Sequence, residues 1–350
     1  MTGSTMNWLE SLAYATSSMD GMTAAHEPDV TASISVHRSE RNFSFANPFW
    51  IRGMRAEDLG EAWPGFCQTL AEFGCMAAVS VDEMADLPTN AIPARLSIRS
   101  SGTSLNATEI TTADAVVLSQ QDVQSAKWAR FAEVSPGDEG SKSRLFGFVR
   151  AIRIAAGGNT PVGLSLPVGA TDSDVVEAAQ AECDFLLLEE NGSTITSRHG
   201  SVKSMAAETC LGVANVRRVL EANEWPLLPI LLSAAVQRIG DVVKLLALGA
   251  NLVSVDGLLR EALPEDEEKE AKESAGRLSS LVAMPAEESS PASRMEPVKA
   301  CLHDLTQALR AAMNLTGAKT LQEFNASKLV ALDSQVAELT GVAIYGTHRR

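Results

Sequence analysis

Two hydrophobic periods alternate along most of this chain. Short apolar runs recur near Phe49, Met76, Ala115, Pro161, Asp184, Leu228 and Leu252. Each is short enough, and bounded by enough polar or turn residues, to predict a buried strand. Between them lie stretches with helical spacing. Residues 56–73 place Leu59, Trp63, Phe66, Leu70 and Phe73 on one stripe. Residues 143–155 predict a helix stopped by Gly157-Gly158. Thr171 or Asp172 caps a helix that ends near Ala181, and 202–222 also reads as helical. The clearest unit is 227–263. An apolar run ends at Ser233, and a polar loop leads into a helix carrying Val242, Val243, Leu245, Leu246 and Leu248. Gly249 closes that helix, and a second apolar run ends at Asp256-Gly257. Two buried strands joined by one crossover helix are parallel.

This alternation predicts a parallel sheet, closed or open. Seven strands are plain. An eighth is expected near 205–213 or hidden before a loop, and 95–99 reads as a short extra strand. No GxGxxG follows the first strand, which argues against a dinucleotide fold. The loops after the last two strands would seat a phosphate if the sheet closes into a barrel, because helix N-termini offer free N–H groups there. A βαβ unit without ligand explains the same pattern equally well. The ends differ in character. Residues 1–44 lack sustained period and predict a flexible or loosely packed arm. Residues 264–297 are acidic, then rich in Ser and Pro, and predict a solvated linker. Residues 298–350 predict a helical extension packed on the barrel, with Val298, Leu302, Leu305, Leu309 and Met313 on one stripe and a further helical piece at 321–339.

Composition narrows the partners. Forty-four acids against 29 bases give a net charge of −15. Such a surface repels nucleic acid and anionic membranes, so neither is expected as a partner. Nothing approaches the roughly 20 continuous apolar residues of a membrane span, and the N-terminus lacks the pattern of a secretory signal. Five dispersed cysteines without a CxxC pair suggest neither a disulfide framework nor a metal site. A cytoplasmic protein is the expectation. Its partner would be a small-molecule substrate or another protein, and a homo-oligomer is compatible with the composition.

Three passages resemble the FMN-binding central domain of the glutamate synthase family and its stand-alone relatives. They are IRGM at 51–54, PVGLSLPVGA at 161–170, and LLSAAVQRIGDVVKLLALGANLVSVDGLL at 231–259. The closing LTGAKTLQEFNASKL is similar as well. The resemblance spans about residues 45–345 and implies a (β/α)8 TIM barrel over 45–263. It further implies a flavin oxidoreductase acting on an amino-acid-like substrate. FMN would then be lined by Met54, Gln120, Ser165, Ser233, Gly240 and Gly257.

The departures from that family are chemical. Ser165 stands where the family has a lysine near the flavin, and a serine cannot stabilise negative charge on a reduced ring. Ala234 replaces the phosphate-loop glycine, and its Cβ limits close approach. The glycine-rich loop after the fifth strand becomes 190–196, headed by Glu189 and Glu190. No cysteine lies between Cys210 and Cys301, so no iron–sulfur cluster is expected. Glu189 and Glu190 are candidates for acid–base work at a strand end, although neighbouring strand residues point to opposite faces. His199, in the loop that follows, is a candidate base or an ordinary surface histidine. No metal site is expected. A second function competes with the first: a barrel that has lost flavin and catalysis and serves as a regulatory or scaffolding subunit.

Overall fold

The computed structural model describes residues 8–16, 27–35, 42–85, 87–98, 107–119, 144–190, 205–263 and 291–345. Twelve strands are found among them. In chain order they are β1 Leu12–Tyr14, β2 Ala32–Ser35, β3 Asn42–Phe45, β4 Phe49–Ile51, β5 Met76–Ala77, β6 Ala94–Ile98, β7 Ala115–Ser119, β8 Val162–Pro167, β9 Phe185–Glu189, β10 Ile230–Ser233, β11 Leu252–Ser254 and β12 Leu329–Ala331. Strands β4 to β11 close into an eight-stranded barrel with every pairing parallel. Helices follow the strands, including Trp63–Glu72, Arg144–Ala155, Asp172–Gln180, Met205–Ala222, Ile239–Ala247 and Asp256–Ala262. The chain is a (β/α)8 barrel.

The eighth strand is Ala94–Ile98, the segment read from sequence as a short extra strand, and not the one near 205–213, which lies in an 18-residue helix. Its weak signal has a physical cause. Arg95 sits mid-strand, yet it is only 1% exposed. Its Nε donates to the carbonyl of Val79 at 2.8 Å and Nη1 to Thr112 Oγ1 at 2.6 Å, so its charge is solvated by protein groups that pattern reading does not see.

Alternation along the strands builds two cores. Outward residues such as Leu186, Leu188, Ile230, Leu232 and Val253 pack under the helices. Inward residues Trp50, Met76, Leu96, Val117, Phe185, Leu187, Leu231 and Leu252 fill the barrel. Gly163 is required inside: a Cβ there would lie 2.2 Å from the Phe185 ring. The β2–β3 hairpin supplies Ala32, Ile34 and Phe45 to the same inner cluster. Because β3 runs almost directly into β4, the hairpin floors the N-terminal end of the barrel.

The chain ends depart from their sequence reading. Residues 1–44, expected to form a loose arm, include β1, β2 and the start of β3 among their described residues. β1 pairs antiparallel with β12, and Leu12 is 1% exposed. Lys244 Nζ donates to the carbonyl of Leu9 at 2.6 Å, and Arg238 bridges Glu10 at 2.5 Å. The piece at 321–339, expected to be helical, holds a short 3-10 turn, then β12, then the helix Ser334–Thr340. Its strand character depends on a partner more than 300 residues away in sequence. The long C-terminal helix begins at Pro291 and carries Pro297 inside it, at the cost of one backbone hydrogen bond. The rest of the 264–297 segment lies outside the described residues. Val298, Leu302, Leu305, Leu309 and Met313 are fully buried, where this helix lies against Trp63–Glu72, Ile239–Ala247 and Asp256–Ala262. Among the described residues, no helix is long and apolar enough to cross a membrane.

Candidate functional site at the barrel mouth

The inward positions change from apolar to polar at the C-terminal ends of the strands. One step beyond Trp50, Phe185–Leu187, Leu231 and Leu252 on the same faces come Arg52, Glu189, Ser233 and Ser254. Ser165 follows Gly163 in β8. Register reinforces the grouping, since Ser233 lies opposite Glu189. The result is a polar layer where the chemistry of such barrels takes place.

Arg52 is its centre. Its Nη1 donates to Ser233 Oγ at 3.1 Å, and its Nη2 lies 2.5 Å from Glu189 Oε1. That last contact is close in charge but lacks hydrogen-bond alignment, so Glu189 Oε1 has no hydrogen bond. Ser165 Oγ donates to Glu189 Oε2 at 2.5 Å. Arg52, Glu189, Ser165 and Ser233 thus form one chain of contacts across the mouth, with the arginine side chain 28% exposed.

Asp256 fixes the Arg52 backbone. Its carboxylate accepts from the N–H of Arg52 at 3.0 and 3.1 Å and from that of Gly53 at 2.7 Å. Burial pushes its carboxyl above the usual range, and the N–H bonds from Gly53 and Arg52 oppose that shift. Asp256 therefore joins the first and last strands of the barrel at the mouth.

Glu190 takes different partners from Glu189. Its Oε1 accepts from Thr209 Oγ1 at 2.6 Å, and its Oε2 accepts from the N–H of Ala235 at 2.9 Å. The two carboxylates do not meet as an acid–base pair. Ala235 belongs to the loop after β10, where the resemblance places phosphate. The neighbouring N–H groups are also engaged: Ala234 donates to Ser254 Oγ at 3.0 Å, and Val236 donates to the carbonyl of Ala234 at 3.0 Å. Of these three N–H groups only that of Ala235 meets an oxyanion, and that anion is the chain's own Glu190 carboxylate.

The sequence-derived residues divide accordingly. Ser165 and Ser233 meet at the mouth through Glu189 and Arg52. Glu190 reaches the phosphate loop. Gly257 lies against that loop, but a Cβ on it would sit 2.5 Å from the carbonyl oxygen of Val236. Its lack of a side chain serves backbone packing, and the oxygen facing it is no phosphate donor. Met54 is 3% exposed and packs in the outer core. Gly240 is exposed in the first turn of Ile239–Ala247, where an added Cβ would meet nothing within 4 Å. Gln120 and His199 lie outside the described residues. Sequence reasoning missed Arg52, Thr209 and Asp256. The available signal was inward parity: Arg52 lies two positions after the inward Trp50, just past the end of β4.

Cysteine chemistry is not available at these positions. Burial pushes Cys67, Cys75, Cys183 and Cys210 up to about 12, which leaves them protonated. Among the described residues, no group of three or more His, Cys, Asp or Glu is placed to hold a metal ion.

No family model matches this chain, and no curated protein matches it. Solved structures do. The flavin-binding domain of baker's yeast flavocytochrome b2 aligns with a TM-score of 0.58 at 13% identity, over 99% of this chain and 81% of that one. A flavocytochrome b2 variant with pyruvate bound gives 0.60 at 13%, over 98% and 80%. A mandelate oxidase variant with an FMN adduct gives 0.55 at 14%, over 91% and 87%. At such identities the likeness establishes the barrel fold. These neighbours are flavin-bearing barrels other than the glutamate synthase central domain.

Proposed function

We propose that this chain is an FMN-linked oxidoreductase acting on a small organic acid. One observation carries the reading. The barrel mouth holds a cation, Arg52, among strand-end hydroxyls and beside a loop whose N–H already accommodates a carboxylate. The fold of its structural neighbours, which bear flavin, supports FMN as the cofactor. FMN would supply the two-electron acceptor. Of the loop at 234–238, the Ala235 N–H would be the donor to its phosphate, in place of Glu190. Arg52 would orient an acidic substrate through its guanidinium, Glu189 holds that guanidinium over the mouth, and Ser165 holds Glu189. The carboxylate that Arg52 suits is common to mandelate-like acids and to the amino acids suggested by the glutamate synthase resemblance. The five free thiols and the acidic surface support a cytoplasmic protein working on a small molecule.

The test is flavin retention. Purified protein incubated with FMN and desalted should keep the visible flavin spectrum, and an anaerobic panel of 2-hydroxy acids and amino acids should identify one that bleaches it. Arg52→Met should weaken the response to that acid about 10- to 100-fold, the loss of one charge-assisted contact, while flavin stays bound. Absence of any retained flavin sinks the reading.

A second reading is a non-catalytic barrel that serves as a regulatory or scaffolding subunit. It is favoured by the way the mouth's charges pair among themselves: Arg52 with Glu189, and Glu190 with Thr209 and Ala235. It requires a well-folded protein that takes up no flavin.

A further inference from the structure

We infer that residues 161–190 and 229–257 are two copies of one βαβ unit with interchangeable joints, and that this repeat brings two equivalent carboxylates, Glu189 and Asp256, to Arg52. The inference goes beyond the flavin reading and does not depend on it. The match begins in the sequence. Pro161-Val162 leads into β8 and Pro229-Ile230 into β10, and a serine stands three residues further on, Ser165 and Ser233. Nine-residue helices follow, Asp172–Gln180 and Ile239–Ala247, with Asp-Val-Val at 174–176 and 241–243 in the same turn. Asp184 and Asn251 come ten residues after those aspartates, directly before β9 and β11. Glu189 and Asp256 come five residues later still.

Strand and helix periods alone can produce such a match. They do not dictate the side-chain joints, and these recur as well. Asp184 Oδ2 accepts from the N–H of Val162 at 2.7 Å, and Asn251 Oδ1 accepts from that of Ile230 at 2.8 Å. The N–H of Asp184 and that of Asn251 return to the carbonyls of the same partners, at 2.8 and 2.7 Å. Arg153 Nη2, on the helix before the first unit, donates to the carbonyl of Glu182 at 2.7 Å and to Asp184 Oδ2 at 2.9 Å. Arg217 Nη2, on the helix before the second, donates to the carbonyl of Gly249 at 2.7 Å and to Asn251 Oδ1 at 2.9 Å. Glu182 and Gly249 share positive φ, 58° and 120°. At the opposite end, the carbonyls of Val168 and Val236, each three residues past its serine, meet a glycine of the following helix. A Cβ on Gly212 would lie 2.3 Å from the first oxygen, and one on Gly257 would lie 2.5 Å from the second. The two strand ends therefore occupy equivalent places. Glu189 takes the guanidinium of Arg52, and Asp256 takes its backbone N–H. The second copy also shows what the joint needs. A neutral amide serves there, so the requirement is an acceptor shared by a strand N–H and an arginine, not a carboxylate charge.

The experiment exchanges the joint residues in the full-length chain and follows thermal unfolding by circular dichroism. Asp184→Asn gives the first unit the acceptor of the second, and Tm should stay within about 2 °C of wild type. Asn251→Asp makes the reverse exchange beside Arg217 and should be tolerated equally. Glu182→Gly, which places the residue of the second unit at the positive φ of the first, should not lower Tm. Asp184→Ala removes the acceptor in the core and should lower Tm by about 5 °C or more. A fall in either exchange variant as large as that of Asp184→Ala, or failure of either to fold, overturns the equivalence, because that copy would then need its own charge state. An alanine variant as stable as wild type overturns it too, since the side chain would have no shared task. Flavin retention, measured separately on the wild type, decides the flavin reading and leaves this one untouched.

Discussion

At Gly257 a missing side chain admits a backbone carbonyl. From sequence, a glycine at a helix start after a barrel strand suggests close approach of a phosphate. In the structure the approaching atom is the oxygen of Val236, 2.5 Å from where a Cβ would stand. This changes what a substitution reports. Gly257→Ala should lower stability by about 1–3 kcal/mol with no ligand present, the usual range for overpacking a tight site. Urea unfolding measures it, and an unchanged midpoint would mean that the loop shifts freely and the close approach has no structural weight. Arg95 teaches the same lesson with opposite chemistry. A charge in the middle of a strand looks like evidence against burial, yet its donors meet Val79 and Thr112.

Among the short elements, the turn after β5 is held by one carboxylate. Ser80 caps Val81–Met84, and Glu83 completes the capping box. Glu83 accepts from Ser80 N at 2.8 Å and from Ser80 Oγ at 2.9 Å, and also reaches Ala56 N at 3.3 Å and Arg55 at 3.4 Å. Burial works to raise its carboxyl, but the bonds from Ser80 and Ala56 and the charge of Arg55 win and hold it below the ordinary value. A lowered carboxylate contributes stability that is present above the unfolded value of about 4.3 and lost as pH falls through the folded one. Glu83→Gln should therefore cost about 1 kcal/mol at neutral pH, and the gap to wild type should close in acid. Chemical denaturation at several pH values tests the sign. A gap that widens in acid contradicts it.

On the scale of the whole molecule, the barrel is closed by a segment that reads as unstructured. The β2–β3 hairpin sends Ile34, fully buried, against the same inner cluster as Trp50, Phe185 and Leu231. Ile34→Ala should cost about 2–5 kcal/mol as a buried large-to-small change. The loss should appear equally in tryptophan fluorescence and in far-UV circular dichroism, because floor and barrel unfold together. If only the fluorescence transition moves, the hairpin is an appendage rather than part of the cooperative unit. The β1–β12 pair acts similarly, joining the first and last parts of the chain across the helix Ile239–Ala247.

What the sequence determined by itself is the periodic part. Buried strands and amphipathic helices write their environment into local spacing, so seven barrel strands, the outer helices and the stripe from Val298 to Met313 were legible. So was the position of Ser233 at a strand end, where an apolar run stops, whereas Ser165 was singled out by the family resemblance. Tertiary structure alone decided the rest. The eighth strand was read at 95–99 only as an extra one, and its place in the barrel was obscured by an arginine whose solvation comes from other elements. β12 and the N-terminal strands depend on partners far away in sequence, which no window of residues contains. The site was decided in the same way. Whether Glu189 faces Arg52, and Glu190 faces the loop at 234–238, depends on how neighbouring strands are sheared in the closed barrel. Closure brings β4 beside β11 and sets Asp256 under the backbone of Arg52, a pairing of residues 204 apart in the chain that no local pattern encodes.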